Sequence, residues 1–346
     1  MDQSVVLLHE VKRRDLPTAF HASAPLRIDF AGGGTDMPPF SAREGGLVVN
    51  AAIRLHAHVE LTLGGPPPLI RLVAEDLGER VECVNLGGLV LDGTLDPLKA
   101  ALRMFPVLGT FTLTTRCDVS PGAGLGRSGA LDVALVAALT RARLERLDAR
   151  DLADHAWQVE AGEAGRRGGK QDHYAAALGG IHRFSFRDPD VGVEPLTLDP
   201  AFAAALEQQL LLVSTPAPRG SGDVITRVMD AYERGDRVVT GALRAMKDVA
   251  EAMVAALRGA DLARVATLLA EHWRHQQALD PGARTEPMAR VERAITDAGA
   301  LGGKALGAGS MVFVLPGERR AAAEAAAAAG GTVLPVAWAT EGVRAW

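Results

Sequence analysis

The sequence predicts an α+β protein in two lobes, and the order of its elements carries the prediction. Strand-like alternation dominates the first part, at residues 19–30, 47–63, 69–73, 80–84 and 111–119. Helical periodicity then runs from 131 to 164 and resumes at 170–178, before a hairpin-like pair at 181–186 and 192–198. Beyond a boundary placed near Asp199, residues 208–214 read as a buried strand, 216–220 as a loop and 223–279 as two or three helices. A further helix, a strand at 311–315, an alanine-rich helix at 318–328 and a strand at 332–335 finish the chain. The expected domains are residues 1–199 and 200–346.

Composition narrows the classes of function. With 346 residues and 48% hydrophobic content the chain can bury a substantial core. Its net charge of −5, with no dense block of lysine or arginine, argues against a nucleic-acid surface. Cys83 and Cys117 have neither zinc spacing nor a disulfide framework, which fits a reducing compartment. Residues 1–14 do not read as a signal peptide, and no apolar run reaches transmembrane length. The expectation is a soluble, cytoplasmic protein without a membrane partner.

The most informative segment is Ser120-Pro-Gly-Ala-Gly-Leu-Gly-Arg-Ser-Gly-Ala130, between an alternating strand and an apolar helix. Glycines let backbone N–H groups approach an anion, and a helix N-terminus adds unpaired donors and the positive end of its dipole. This predicts a phosphate cradle. Gly124 to Gly129 also matches GxGxxG, but the preceding strand alternates with threonine and the following element is a second helix, so a dinucleotide fold is rejected. The Gly-Lys pairs at Lys170 and Lys304 lack a following hydroxyl residue, which excludes a P-loop of the GxxxxGK[ST] type.

The loop resembles motif 2, PxxxGLGSSA, of the galactokinase, homoserine kinase, mevalonate kinase and phosphomevalonate kinase superfamily. Ser23-Ala-Pro-Leu-Arg-Ile-Asp-Phe-Ala-Gly-Gly-Gly-Thr-Asp36 is similar to motif 1 in its sugar-kinase form, and Gly302 to Phe313 to motif 3. Gly168-Gly-Lys-Gln-Asp-His-Tyr-Ala-Ala-Ala-Leu-Gly-Gly180 resembles the GGKQDxYAAAxGG segment of the heptose 7-phosphate kinase and fucokinase branch. The resemblance implies a ribosomal-S5-domain-2-like N-terminal lobe and a ferredoxin-like C-terminal lobe with the site between them. It also implies an ATP- and Mg2+-dependent kinase of a sugar's anomeric hydroxyl, with D-glycero-D-manno-heptose 7-phosphate as the leading acceptor.

The same resemblance assigns roles to residues. Asp172 takes the general-base position and Arg27 the basic position of motif 1. Pro121, Gly122, Ala123, Gly124, Leu125, Gly126, Arg127 and Ser128 would hold the nucleotide, and Ser128 with Glu160 the magnesium, Glu163 being a rival one turn on. Gly33, Gly34, Thr35, Asp36, Lys170, Gln171, Gly307, Ala308 and Gly309 would line the acceptor, Asp36 by accepting sugar hydroxyls and Lys170 by meeting a phosphate already on the substrate. Arg127 and Ser310-Met311 depart from the family pattern at positions expected to lie in phosphate loops. His272 and His275 read as an ordinary polar helix face. Fucose or another sugar as acceptor, a non-catalytic sugar- or nucleotide-binding regulator and a decarboxylase relative are the rival readings. The oligomeric state is left open, a homodimer among the options.

Overall fold

The computed structural model describes residues 18–65, 69–215, 221–307, 309–317 and 319–346. Its strands are β1 (Ala19–Ala31), β2 (Gly46–Leu63), β3 (Ile70–Ala74), β4 (Glu79–Cys83), β5 (Phe111–Cys117), β6 (Ile181–Arg187), β7 (Asp190–Pro195), β8 (Leu210–Ser214), β9 (Gly302–Leu306), β10 (Ser310–Val314), β11 (Thr332–Leu334) and β12 (Arg344–Ala345). The α-helices are α1 (Phe40–Glu44), α2 (Asp96–Met104), α3 (Arg127–Ala142), α4 (Ala149–Gln158), α5 (Gln171–Leu178), α6 (Pro200–Gln209), α7 (Ser221–Glu233), α8 (Arg237–Arg258), α9 (Leu262–Leu279), α10 (Glu286–Asp297) and α11 (Arg320–Ala328). The loop expected at 216–220 and the first fourteen residues lie outside the described residues.

One sheet runs β12-β1-β2-β5-β3-β4, with β6 on the other end of the long β2 and β7 beyond it. Every pairing in it is antiparallel except β3 with β5. The alternation of Phe111, Leu113 and Thr115 against Thr112 and Thr114 buries one face of β5, as a half-exposed strand requires. The second sheet, β11-β8-β10-β9, is antiparallel throughout. Its period of two is visible in the core: Leu210, Leu212, Val312 and Val314 join the large cluster shared with the first sheet. Leu211, Val213, Met311 and Phe313 turn the other way, onto Met288, Val291 and Ile295 of α10 and Ala322 and Ala326 of α11.

α3 is buried from Gly129 to Thr140 with no exposed face, which a run of Ala, Leu and Val broken by the single carboxylate of Asp132 permits and a surface helix would not. It packs on β1, β2, α4 and α5 and so brings the glycine loop beside the start of α5. α8 instead shows the spacing of an amphipathic helix, burying Val239, Leu243, Met246, Ala250, Met253 and Leu257. Asp236 caps it by accepting from Val238 N and Val239 N. The C-terminal strand β12 returns to pair with β1, so the last residues close the first sheet rather than the second.

Candidate active site

β1 delivers two charged residues to the junction of the sheets. Arg27 donates from Nε to Asp172 Oδ1 at 2.8 Å, with Nη2 2.7 Å from the same oxygen, and from Nη1 to the Gly124 carbonyl at 2.7 Å. One guanidinium therefore ties the glycine loop to Asp172, the second residue of α5. The Asp172 side chain keeps 24% of its surface exposed against 9% for Arg27, so the pair opens on one side to solvent.

The loop itself turns through left-handed glycines, Gly122, Gly124 and Gly126. Gly126 caps α3 without a side-chain hydrogen bond, leaving the first-turn N–H groups to an anion. A Cβ on Gly129 would stand 2.6 Å from the Cβ of Asp172, so this turn passes over Asp172 only as glycine. Pro121 and Leu125 belong to the same loop, Leu125 accepting from Arg27 N through its carbonyl at 3.0 Å. The third motif closes on it: a Cβ on Gly309 would overlap the Gly122 carbonyl, and Gly307 lies against Gly124. Ala308 lies outside the described residues.

The acceptor-side expectations change in part. Thr35 is fully buried, its hydroxyl 2.7 Å from Gly32 O and 3.0 Å from Leu47 O while accepting from Leu47 N, so it locks the turn instead of facing a substrate. Asp36 is 1% exposed and accepts from Gly34 N, Gln171 N and Gln171 Nε2. It thus acts as a remote cap for α5, holding the turn that carries Asp172. Burial, with Asp172 nearby, pushes the Asp36 carboxyl up to about 6. Gln171 spends its amide on that contact. Lys170 is 5% exposed, donating to Pro189 O at 2.9 Å, 3.7 Å from Asp154 and over the Trp157 ring, so its ammonium is committed to the scaffold and not to a substrate phosphate. Gly33 lies against the Asp29 carboxylate, and Gly34 beside it offers its N–H to Asp36.

Ser128 and Glu160 meet on the far side of the loop. The chain leaves α4 through a π-helical turn, Val159–Glu163, and this wider turn carries Glu160. Glu163 faces solvent, whereas Glu160 is largely buried and the Ser128 hydroxyl acts on its carboxylate. Burial pushes the Glu160 carboxyl up to about 7. Arg127 points away, its Nη2 2.5 Å from Asp76 in the turn between β3 and β4. Ser310 and Met311 fall inside β10, paired with β8 and β9, so that departure belongs to a strand and not to a phosphate loop.

Sequence reasoning missed the charged residues behind this surface. Lys304 on β9 is fully buried and donates to Asp29 Oδ2 at 2.6 Å and Asp29 O at 3.0 Å. Burial would raise the Asp29 pKa, but Lys304, His272 and Arg27 outweigh it and the net direction is down. His272 is not on a polar face: it is fully buried, and its Nε2 accepts from Gly32 N at 2.9 Å. Burial and Lys304 hold its pKa well below the usual histidine range, which keeps that nitrogen free to accept.

A phosphate-sized glycine cradle at a helix start, facing an open carboxylate held by arginine, is the apparatus of a phosphotransferase. The chain belongs to the GHMP kinase family, whose members use ATP as phosphate donor. The family's N-terminal domain matches residues 94–180 and its C-terminal domain residues 253–333. The chain is 30% identical over 332 residues to the D-glycero-alpha-D-manno-heptose 7-phosphate kinase of Campylobacter jejuni, covering 93% of this chain and 97% of that one. It is 26% identical over 282 residues to the bifunctional fucokinase/GDP-fucose pyrophosphorylase of Arabidopsis thaliana, covering 77% of this chain and 26% of that one. Among solved structures, a D-glycero-D-manno-heptose 1-phosphate kinase from Bacteroides thetaiotaomicron superposes with a TM-score of 0.78 at 27% identity, covering 94% and 98% of the two chains. The galactokinase of Lactococcus lactis shares the fold, with a TM-score of 0.72 at 17% identity over 94% and 95% of the chains. No helix of the described residues is long and apolar enough to cross a membrane.

Proposed function

We propose that this kinase transfers the γ-phosphoryl group of ATP to the anomeric hydroxyl of a heptose 7-phosphate, in the cytoplasm. The observation that carries the reading is the Arg27–Asp172 pair at the mouth of the glycine loop, 2.7 Å across and open on one side. A sugar hydroxyl placed against Asp172 would give up its proton to that carboxylate as its oxygen attacks phosphorus, while the guanidinium stabilises the charge that develops. The loop N–H groups hold the phosphates in line, so the protein's work is positioning and charge neutralisation. Ser128 and Glu160 offer the hydroxyl and carboxylate oxygens that magnesium prefers, and they would hold that ion. When bound, it neutralises charge on the phosphates.

The acceptor's own phosphate has a place to go. A cavity of about 330 Å3 lies next to Asp36 and the Gly168–Gly169 turn, lined by Met37, Pro38, Trp157, Arg166 and Arg167. Of the two guanidinium groups there, Arg167 is paired with Asp230 at 2.8 Å, which leaves Arg166 as the group that would meet a phosphate in place of the committed Lys170. The names of the two heptose relatives differ in the phosphate they cite, which makes the position of transfer the point to test. Purified protein with ATP and Mg2+ should phosphorylate heptose 7-phosphate in preference to free heptose and to 6-deoxyhexoses. Phosphorus NMR of the product should show coupling to the anomeric proton. Coupling to a non-anomeric proton, or turnover of heptose 1-phosphate instead, would reject the reading.

A further inference from the structure

Behind Glu160 lie two buried residues, Asp132 and His173, to which the phosphoryl-transfer reading gives no role. Asp132 sits on α3 one turn after Ser128, Glu160 on the π-helical turn, and His173 on α5 directly after Asp172. Three separate segments converge there. His173 Nε2 is 3.4 Å from Glu160 Oε2 and 3.9 Å from Asp132 Oδ2, and the three donor atoms all lie within 4.8 Å of one another.

We infer that Asp132, Glu160 and His173 form a binding site for a first-row transition-metal dication of the Zn2+ or Mn2+ type, with a donor set of one imidazole and two carboxylates. The site belongs to the folded chain and does not rest on the kinase reading. Among the described residues, both ring nitrogens of His173 and Oδ1 of Asp132 are buried without a hydrogen-bond partner. His173 is 0% and Asp132 2% exposed, so water does not supply the missing partners as it would at a surface. Two carboxylates brought together in such a place repel unless a proton or a metal cation lies between them.

Size and chemistry select the cation. An ion with tetrahedral ligands at ~2.0–2.2 Å holds its donor atoms roughly 3.3–3.6 Å apart; the His173–Glu160 spacing of 3.4 Å matches this, and His173–Asp132 at 3.9 Å would have to close slightly. Imidazole suits zinc and carboxylates suit manganese, so a mixed set of one imidazole and two carboxylates can take either, whereas magnesium takes oxygen ligands. The side chain of Glu160 alone keeps some exposure, 15%, so the fourth position opens on the Ser128 side. A resident ion would fix Glu160 and join α3 to α5 beside the phosphate loop. It differs from the proposed nucleotide magnesium in donor set, in using Asp132 and His173, and in binding without nucleotide.

The test uses Co2+ as a visible probe on nucleotide-free protein stripped with chelator. About one Co2+ per chain should survive desalting, show ligand-field absorption, and resist displacement by a large excess of Mg2+. Asp132→Asn and His173→Gln should each weaken binding roughly 100-fold or more, beyond the ~10–100-fold of an outer-shell change. Ser128→Ala, which reaches the site only through Glu160, should cost no more than that outer-shell amount. Should either variant fail to fold, the wild type decides alone: the Co2+ protein should give one hyperfine-shifted, solvent-exchangeable imidazole N–H resonance. No retained ion, binding unchanged in folded variants, easy displacement by Mg2+, or no such resonance would overturn the site and leave the cluster closed by a proton.

Discussion

Arg27 and Asp29 stand two residues apart on β1, yet their ion pairs with Asp172 and Lys304 sit in different surroundings. Asp172 keeps 24% of its side chain exposed and shares its guanidinium with the glycine loop. Lys304 is completely enclosed, and Asp29 keeps only 10%. The first pair joins a helix start to a loop that must admit phosphates and an acceptor. The second joins β1 of one sheet to β9 of the other, in the buried interior. Similar charges, at 2.7 Å and 2.6 Å, are thus set to opposite uses by access alone. A pair open to the cleft is available for proton transfer, whereas a sealed pair contributes orientation between lobes and makes each partner costly to remove.

That contrast predicts separable failures. Asp172→Asn removes the proposed proton acceptor while keeping shape, so turnover should fall by roughly two to four orders of magnitude with ATP affinity and melting temperature nearly unchanged. Steady-state kinetics beside calorimetry checks both halves. Lys304→Met should do the reverse first, leaving Asp29 charged and unpaired at a cost of about 3–5 kcal/mol in stability, read from urea unfolding.

Asp36 sharpens the comparison because it is a buried carboxylate with no ion pair among the described residues. Its folded pKa, about 6, lies above its unfolded value, so the folded state holds the proton longer. Its stability contribution is therefore fully present below about 4 and lost as pH rises toward about 6. A shift of about two units corresponds to ~3 kcal/mol, so the stability of wild type relative to Asp36→Ala should fall by that order across this window. Urea midpoints at closely spaced pH values would reveal it; a gap independent of pH would deny the burial of an ionisable Asp36. The smallest effect belongs to Arg127, whose pair with Asp76 points away from the cradle. Arg127→Ser should change the KM for ATP by less than about threefold and stability by no more than ~1 kcal/mol.

Much of this site was legible in the sequence because its parts are local. The glycine loop is one continuous segment whose turn-and-helix-start character shows in its composition, and the Gly168–Asp172 turn announces a helix start. Most of the expected helices and strands fell near their limits for the same reason, periodicity being a property of neighbours, whereas α1, α2, α6, β9 and β12 were not expected. The Asp29–Lys304 pair was not legible, since 275 residues separate its members and only the docking of the two sheets brings them together. His272 was misread because a histidine beside Trp273 looks polar until the helix is seen to be buried on that side. One signal for the Asp132 cluster was present: a lone carboxylate inside the run Leu131 to Leu139, which a buried helix tolerates only with a partner. Thr35, Asp36 and Lys170 carry residue types that suit a sugar phosphate, but burial commits them to the scaffold.

The most direct test of the open pair is a double-mutant cycle on single-turnover phosphoryl transfer, using Arg27→Met, Asp172→Asn and the variant carrying both. If Arg27 acts by holding and polarising Asp172, the double variant should be scarcely slower than Asp172→Asn alone, as for residues that work as one unit. Rate losses that multiply, each change acting at full strength in the presence of the other, would contradict that account and leave Arg27 and Asp172 as independent contributors.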